Sequence, residues 1–204
     1  ARKWARHTDK IVFSVDYSIT PNGKYPISLD DIWQVYNWIA DHSEQVLGFT
    51  PRKIILAGDS FGGYLTMALT LLLIRNKNRI PDGLLLSYPA LTSVSNYFTP
   101  SYLYSMDDGI LPVTFIDIIQ KLYSEKKYRD TDPLVSPNLA SSEILSQLPP
   151  VRIFVGDKDP LHDECWRLMD RLRKLEKNVK LTVYKGLHHG YLNMATPVGM
   201  KEAQ

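Results

Sequence analysis

The hexapeptide Gly58-Asp59-Ser60-Phe61-Gly62-Gly63 sets one hydroxyl and one carboxylate in a frame of glycines, between the apolar run IILA (54–57) and the apolar stretch YLTMALTLLLI (64–74). A serine hydroxyl is a poor nucleophile near neutral pH unless a base takes its proton and a third group orients that base. The spacing Gly58-x-Ser60-x-Gly62 is that of a strand-turn-helix junction in which the serine occupies a strained turn with small neighbours, its oxygen projecting above a sheet. The start of the following helix then lies beside the reacting carbonyl, where backbone N–H groups and the helix dipole favour developing negative charge. Nucleophilic attack by Ser60 is the chemistry this points to. The rival readings are a tight packing turn or a phosphate cradle, and the cradle is the weaker because neither Gly-x-Gly-x-x-Gly nor a P-loop lysine is present.

Base and acid belong further along the chain, each after a later strand, in the order serine, acid, histidine. GDKDPLHDE (156–164) and LHHGY (187–191) stand at those places. Asp157, Asp159 and Asp163 compete for the acid. Each has a plainer reading as a loop carboxylate, and Asp163, just before a predicted helix, suits a helix cap. His188 and His189 compete for the base, since adjacent side chains cannot both point into one site. His162 is expected to face solvent. Cys165, the single cysteine, falls inside a predicted helix with no evident base. No His-Glu-x-x-His pair or cysteine cluster suggests a metal.

These groups need a scaffold, and the remaining sequence supplies one. Strand-like runs alternate with helical patterns, which favours a mainly parallel sheet covered by helices. Residues 11–17 (IVFSVDY), 53–57 (KIILA), 83–89 (GLLLSYP), 151–156 (VRIFVG) and 179–184 (VKLTVY) read as strands. Helices are expected at 64–74, around 164–175, and after Ser28, where Ser28 and Asp31 resemble a capping box and Ile32, Val35, Tyr36 and Ile39 share a face. Residues 90–150 break the rhythm. They are rich in Ser, Tyr, Pro and Asp, hold one amphipathic stretch, VTFIDIIQKLY, and read as a cap-like excursion.

Composition sets the outer bounds. The chain has 204 residues, 44% hydrophobic and 23% charged, with a formal net charge of +2, so one domain with one sizeable core is the default. The densest basic run, RLRKLEKNVK, reads as a solvated helix face, and nothing asks for nucleic acid. The longest apolar stretch, 64–74, is shorter than the ~20 residues of a membrane span. A lone cysteine fits a reducing, cytoplasmic compartment.

Taken together, these segments resemble the hormone-sensitive lipase family of α/β-hydrolases. GDSFGG is similar to its G-D-S-A-G-G, with Phe61 at the usual alanine. VDYSITPNGKYP is similar to D-Y-x-L-A-P-E-x-x-F-P, DPLVSPNLASSEILSQLPPVRIFVGDKDPLHDE to its S-P…L-P-P…D-P-L-x-D-E block, and HHGYLNM to its H-G-F.

The resemblance implies an α/β-hydrolase fold, a mainly parallel sheet with helices on both faces, and a partial cap from 90–150. It implies Ser60 as nucleophile, Asp159 as acid, His189 as base, and the Phe61 backbone N–H in the oxyanion hole. The family places an H-G-G-G loop upstream of its D-Y strand, so residues 1–204 are expected to be a catalytic domain truncated on its N-terminal side, with 1–6 as the helix after that loop. The expected activity is carboxylic ester hydrolysis, on acylglycerol, steryl or short acyl esters, with no cofactor. Association with a lipid surface and a homo-oligomer are both compatible with it. The short connection at 126–132 stands where some family members carry a long phosphorylated insertion, so that regulation is not carried over. The rival reading is a binding protein on the same fold, or an inactive fragment.

Overall fold

The computed structural model describes residues 1–95 and 97–194. Four strands, β1 (Ile55–Asp59), β2 (Gly83–Ser87), β3 (Val151–Gly156) and β4 (Val179–Tyr184), form one sheet in sequence order, every pair parallel. Nine α-helices accompany them among the described residues: α1 (Arg2–Thr8), α2 (Ile27–Asn37), α3 (Ser43–Leu47), α4 (Phe61–Arg75), α5 (Pro100–Tyr104), α6 (Val113–Tyr123), α7 (Lys126–Thr131), α8 (Ser142–Leu145) and α9 (His162–Lys174).

Strands taken in order with right-handed crossovers put their connecting helices on one face. On that face α4 covers β1 and β2 while α9 covers β3 and β4. Leu84, Leu86, Val151, Ile153 and Val155 point into it and are almost fully buried. Helix α4 is apolar all round, which suits a central helix: eleven of its residues, from Gly63 to Ile74, are buried. The expected helical cover is met on this face. The opposite face carries Ile55, Ala57, Leu85 and Phe154 partly or fully exposed, and no described helix packs extensively on it.

Two local expectations are corrected. Residues 11–17 form no strand, and Ile11, Val12 and Phe13 are 65%, 39% and 43% exposed. A strand exists through its ladder, and the outer edge of β1 does not pair with this segment. Ser28 and Asp31 make no capping box either. The N-cap position of α2 is Pro26, and Ser28 lies inside the helix. Its Oγ donates to the carbonyls of Ser18 and Gly23, and Asp31 Oδ2 accepts the Ser18 N–H at 2.9 Å, so both side chains fasten the 18–23 loop instead.

Among its described residues, the excursion between β2 and β3 contains α5 to α8 and no strand, with VTFIDIIQKLY forming α6 as its pattern predicts and the 126–132 connection forming α7. Within RLRKLEKNVK, Leu172 is buried, and Arg171 reaches back to donate to the carbonyls of Asn138 at 2.7 Å and Ala140 at 2.5 Å. The run is therefore solvated only in part. Parallel strands bring the turns after β1, β2, β3 and β4 to one edge of the sheet, where ligands of such sheets bind.

Candidate active site

β1 ends at Asp59 and α4 starts at Phe61, so Ser60 alone reverses the chain. Its backbone sits at φ 52°, ψ −117°, a conformation that costs a residue with a side chain roughly 1–3 kcal/mol. The turn closes because its neighbours are glycine. A Cβ on Gly58 would lie 2.3 Å from the Gly62 carbonyl oxygen, and one on Gly63 would lie 2.9 Å from Pro89 Cβ. The Ser60 N–H donates to Ser87 O at 2.9 Å, anchoring the turn to the end of β2.

Ser60 Oγ lies 2.8 Å from His189 Nε2, and His189 Nδ1 lies 2.9 Å from Asp159 Oδ2. His189 is 7% exposed and Asp159 1%. With Nδ1–H donating to the carboxylate, Nε2 is left to accept the serine hydroxyl proton. The other carboxylate oxygen, Oδ1, accepts the Leu161 N–H at 2.8 Å, so Asp159 is held from both sides. Gly156 makes the approach of the two loops feasible, since a Cβ there would stand 2.0 Å from Leu187 O, two residues before the histidine.

The competing side chains are engaged elsewhere. Asp157 Oδ1 accepts the Gly186 N–H at 2.6 Å. Asp163 lies in the first turn of α9 rather than ahead of it, accepting the Ser101 N–H at 2.9 Å. His188 is exposed, with Nδ1 2.9 Å from Asp108 Oδ2. Burial works against ionising Asp108, but the Leu111 and Ile110 N–H groups and His188 outweigh it and hold the carboxyl below its ordinary value. His162 is half-buried against Asp163 rather than free in solvent. Cys165 is fully buried, and burial raises its thiol pKa well above the usual range.

Four residues at the site had no assigned part in the sequence reading. Asp59 Oδ2 accepts Asn193 Nδ2 at 3.2 Å, joining the turn after His189 to the serine turn. Tyr88, fully buried, packs against His189 and Tyr191. Glu164, also fully buried, accepts the N–H groups of Leu91 and Thr92 at 2.7 and 2.9 Å and the Tyr102 hydroxyl at 2.7 Å, which fastens the start of the excursion and α5 to α9. Burial pushes its carboxyl up to about 8. Asp59, Asn193 and Glu164 stand inside the segments GDSFGG, HHGYLNM and GDKDPLHDE, but nothing in those segments shows which groups they meet; Tyr88 has no such signal, and its contact is distant in the chain.

Beside Ser60 opens a cavity of about 100 Å³, lined mainly by apolar and aromatic side chains, among them Phe61, Tyr64, Leu111, Ile116, Tyr123 and Leu161. Phe61 is the first residue of α4, where N–H groups have no acceptor within the helix, so its N–H is available next to the serine oxygen. Among the described residues no group of three or more His, Cys, Asp or Glu side chains is arranged to hold a metal ion. No described helix is long and apolar enough to cross a membrane.

The chain is similar to mouse hormone-sensitive lipase, 33% identical over 63% of this chain and 17% of that protein. It is similar also to carboxylesterase NlhH of Mycobacterium tuberculosis, 32% identical over 97% of this chain and 61% of that one. It therefore spans less than two thirds of the length of either relative. Among solved structures, carboxyl esterase 2 of the mycorrhizal fungus Tuber melanosporum superimposes with a TM-score of 0.89 at 28% identity, covering 98% of this chain and 66% of that one. The family profile for the alpha/beta hydrolase fold matches residues 1–193, and the chain belongs to that family.

Proposed function

We propose that the protein is a serine carboxylic ester hydrolase, with Ser60 as nucleophile, His189 as general base and Asp159 as the acid that orients it. The observation that carries this reading is the continuous hydrogen-bonded line from Ser60 Oγ through His189 to Asp159, with 2.8 and 2.9 Å links. His189 Nε2 takes the hydroxyl proton as Ser60 Oγ bonds to the ester carbonyl carbon. Negative charge on the carbonyl oxygen is stabilised by the Phe61 N–H. Asp159 stabilises the imidazolium, which then gives its proton to the departing alcohol as the ester C–O bond breaks. Water attacks the acyl-serine with His189 again as base, and the carboxylic acid leaves.

Acylglycerol, steryl or short acyl esters are the proposed substrates, and residues 90–150 the cap over them within one catalytic domain. A cytoplasmic location, with contact to lipid surfaces and self-association both open to it, belongs to the same proposal. The test is hydrolysis of a short acyl ester before and after Ser60→Ala. Turnover should fall by at least ~10³ with the fold intact. Parental turnover in a folded Ser60→Ala protein would overturn the assignment and favour a binding role on this fold.

A further inference from the structure

We propose that the Phe61 side chain sets the acyl length this protein accepts, walling off the cavity beside Ser60 so that short acyl groups fit and longer ones do not. The inference rests on the ester-hydrolase reading above. At about 100 Å³ the cavity is a fraction of the roughly 300–1,000 Å³ of sites that take drug-sized ligands.

The wall is built to stay in place. The Phe61 ring lies 4.9 Å from the Tyr123 ring, edge-on at 85°, 5.1 Å from Tyr64 and 6.0 Å from Tyr17, all centroid to centroid. Two of these neighbours are fixed in turn. The Tyr64 and Tyr123 hydroxyls are 3.1 Å apart, and the Tyr64 hydroxyl is 2.8 Å from Leu134 O. Both tyrosines are buried. Phe61 is itself partly buried, and swinging it aside to admit a longer chain would break aromatic contacts on three sides, two of them with the buried rings of Tyr64 and Tyr123.

The chemistry identifies which arm of the ester enters this space. The departing alcohol takes its proton from His189, so it lies toward the imidazole. The acyl group stays on Ser60. Ser60 lines the cavity and His189 does not, which assigns the cavity to the acyl group. The apolar side chains around it suit a hydrocarbon chain.

The experiment measures kcat/KM of the full protein on 4-nitrophenyl acetate, butyrate, hexanoate and octanoate, and on ethyl and hexyl acetate, for the parent, Phe61→Ala, Phe61→Leu and Ser60→Ala. Val46→Ala, at a 70% exposed valine of α3 that lies outside both the cavity and the 90–150 segment, serves as the control and should keep the parental profile. The parent should favour acetate or butyrate. Phe61→Ala keeps the backbone N–H and removes the ring, so the hexanoate-to-acetate ratio should rise on the order of tenfold or more, each newly buried methylene contributing about fourfold. Phe61→Leu should move it less, and thermal unfolding of each variant checks the fold.

An unchanged acyl ratio alongside Ser60-dependent hydrolysis overturns the role of Phe61 and leaves the esterase reading standing. So does a shift confined to the alcohol series. Absence of Ser60-dependent hydrolysis on every ester overturns both.

Discussion

The ring of Tyr88 stands edge-on to the ring of His189, centroids 4.9 Å apart and planes inclined at 61°. Tyr88 does this from a backbone φ of 37°, a conformation that costs an L-residue roughly 1–2 kcal/mol, and with no exposed surface. Such strain persists only where the surrounding structure over-determines the conformation.

The first prediction follows from that contact. Tyr88→Phe keeps the ring and should hold kcat within about threefold, whereas Tyr88→Ala frees the imidazole to shift and should lower kcat by ~10 to 10² with KM little changed. Tyr88→Gly loses the ring too but tolerates positive φ, so it should melt above Tyr88→Ala while sharing its low kcat. Ester hydrolysis and thermal unfolding read both effects. A folded Tyr88→Ala protein with parental kcat would show that the ring does not position His189.

A second prediction ranks the carboxylates. Asp159→Asn should lower kcat by up to ~10⁴, because the amide favours the wrong imidazole tautomer. Asp157→Asn only weakens the bond that its oxygen accepts from the Gly186 N–H, and Asp163→Asn weakens the tie to Ser101; each should cost less than about tenfold. Likewise His189→Ala should abolish turnover and His188→Ala should not. An Asp157 variant more impaired than the Asp159 variant would reassign the acid.

Glu164 supplies a pH dependence of stability. Its carboxyl is raised from the ordinary 4.5 to about 8, burial being the largest cause. A raised folded-state pKa means that the native protein holds this proton where the unfolded chain has released it. The resulting stabilisation is full below about pH 4.5 and is lost as pH rises through about 8. Glu164→Gln cannot ionise, so the parent should lose a few kcal/mol relative to this variant between pH 4.5 and 8. Denaturant unfolding of both proteins across that range measures the difference. A pH-independent gap would mean that Glu164 is already ionised throughout, held by its three donors.

The sequence by itself determined the strands β2, β3 and β4 to within a residue or two, the long apolar helix α4 and the amphipathic α6, and it placed Ser60, the 156–164 segment and the 187–191 segment each after a successive strand. These are legible because periodicity and glycine spacing are local properties of the chain. The resemblance to a family, not spacing, singled out Asp159 and His189 from their neighbours.

Tertiary structure decided the rest. Residues 11–17 have the composition of a strand, yet pairing is a property of two segments and no strand among the described residues pairs with them. Ser28 and Asp31 have the types and spacing of a cap, but the loop at 18–23 folds back and takes their hydrogen bonds. Asp157 and Asp159 are carboxylates of one loop that their spacing does not rank. The depth of Asp159 beneath His189, and the hold of the Gly186 N–H on Asp157, separate them only once β3 and β4 lie side by side. The contacts of Tyr88 with His189 and of Asp59 with Asn193 join residues about a hundred positions apart or more, and no pattern within one segment carries information of that range.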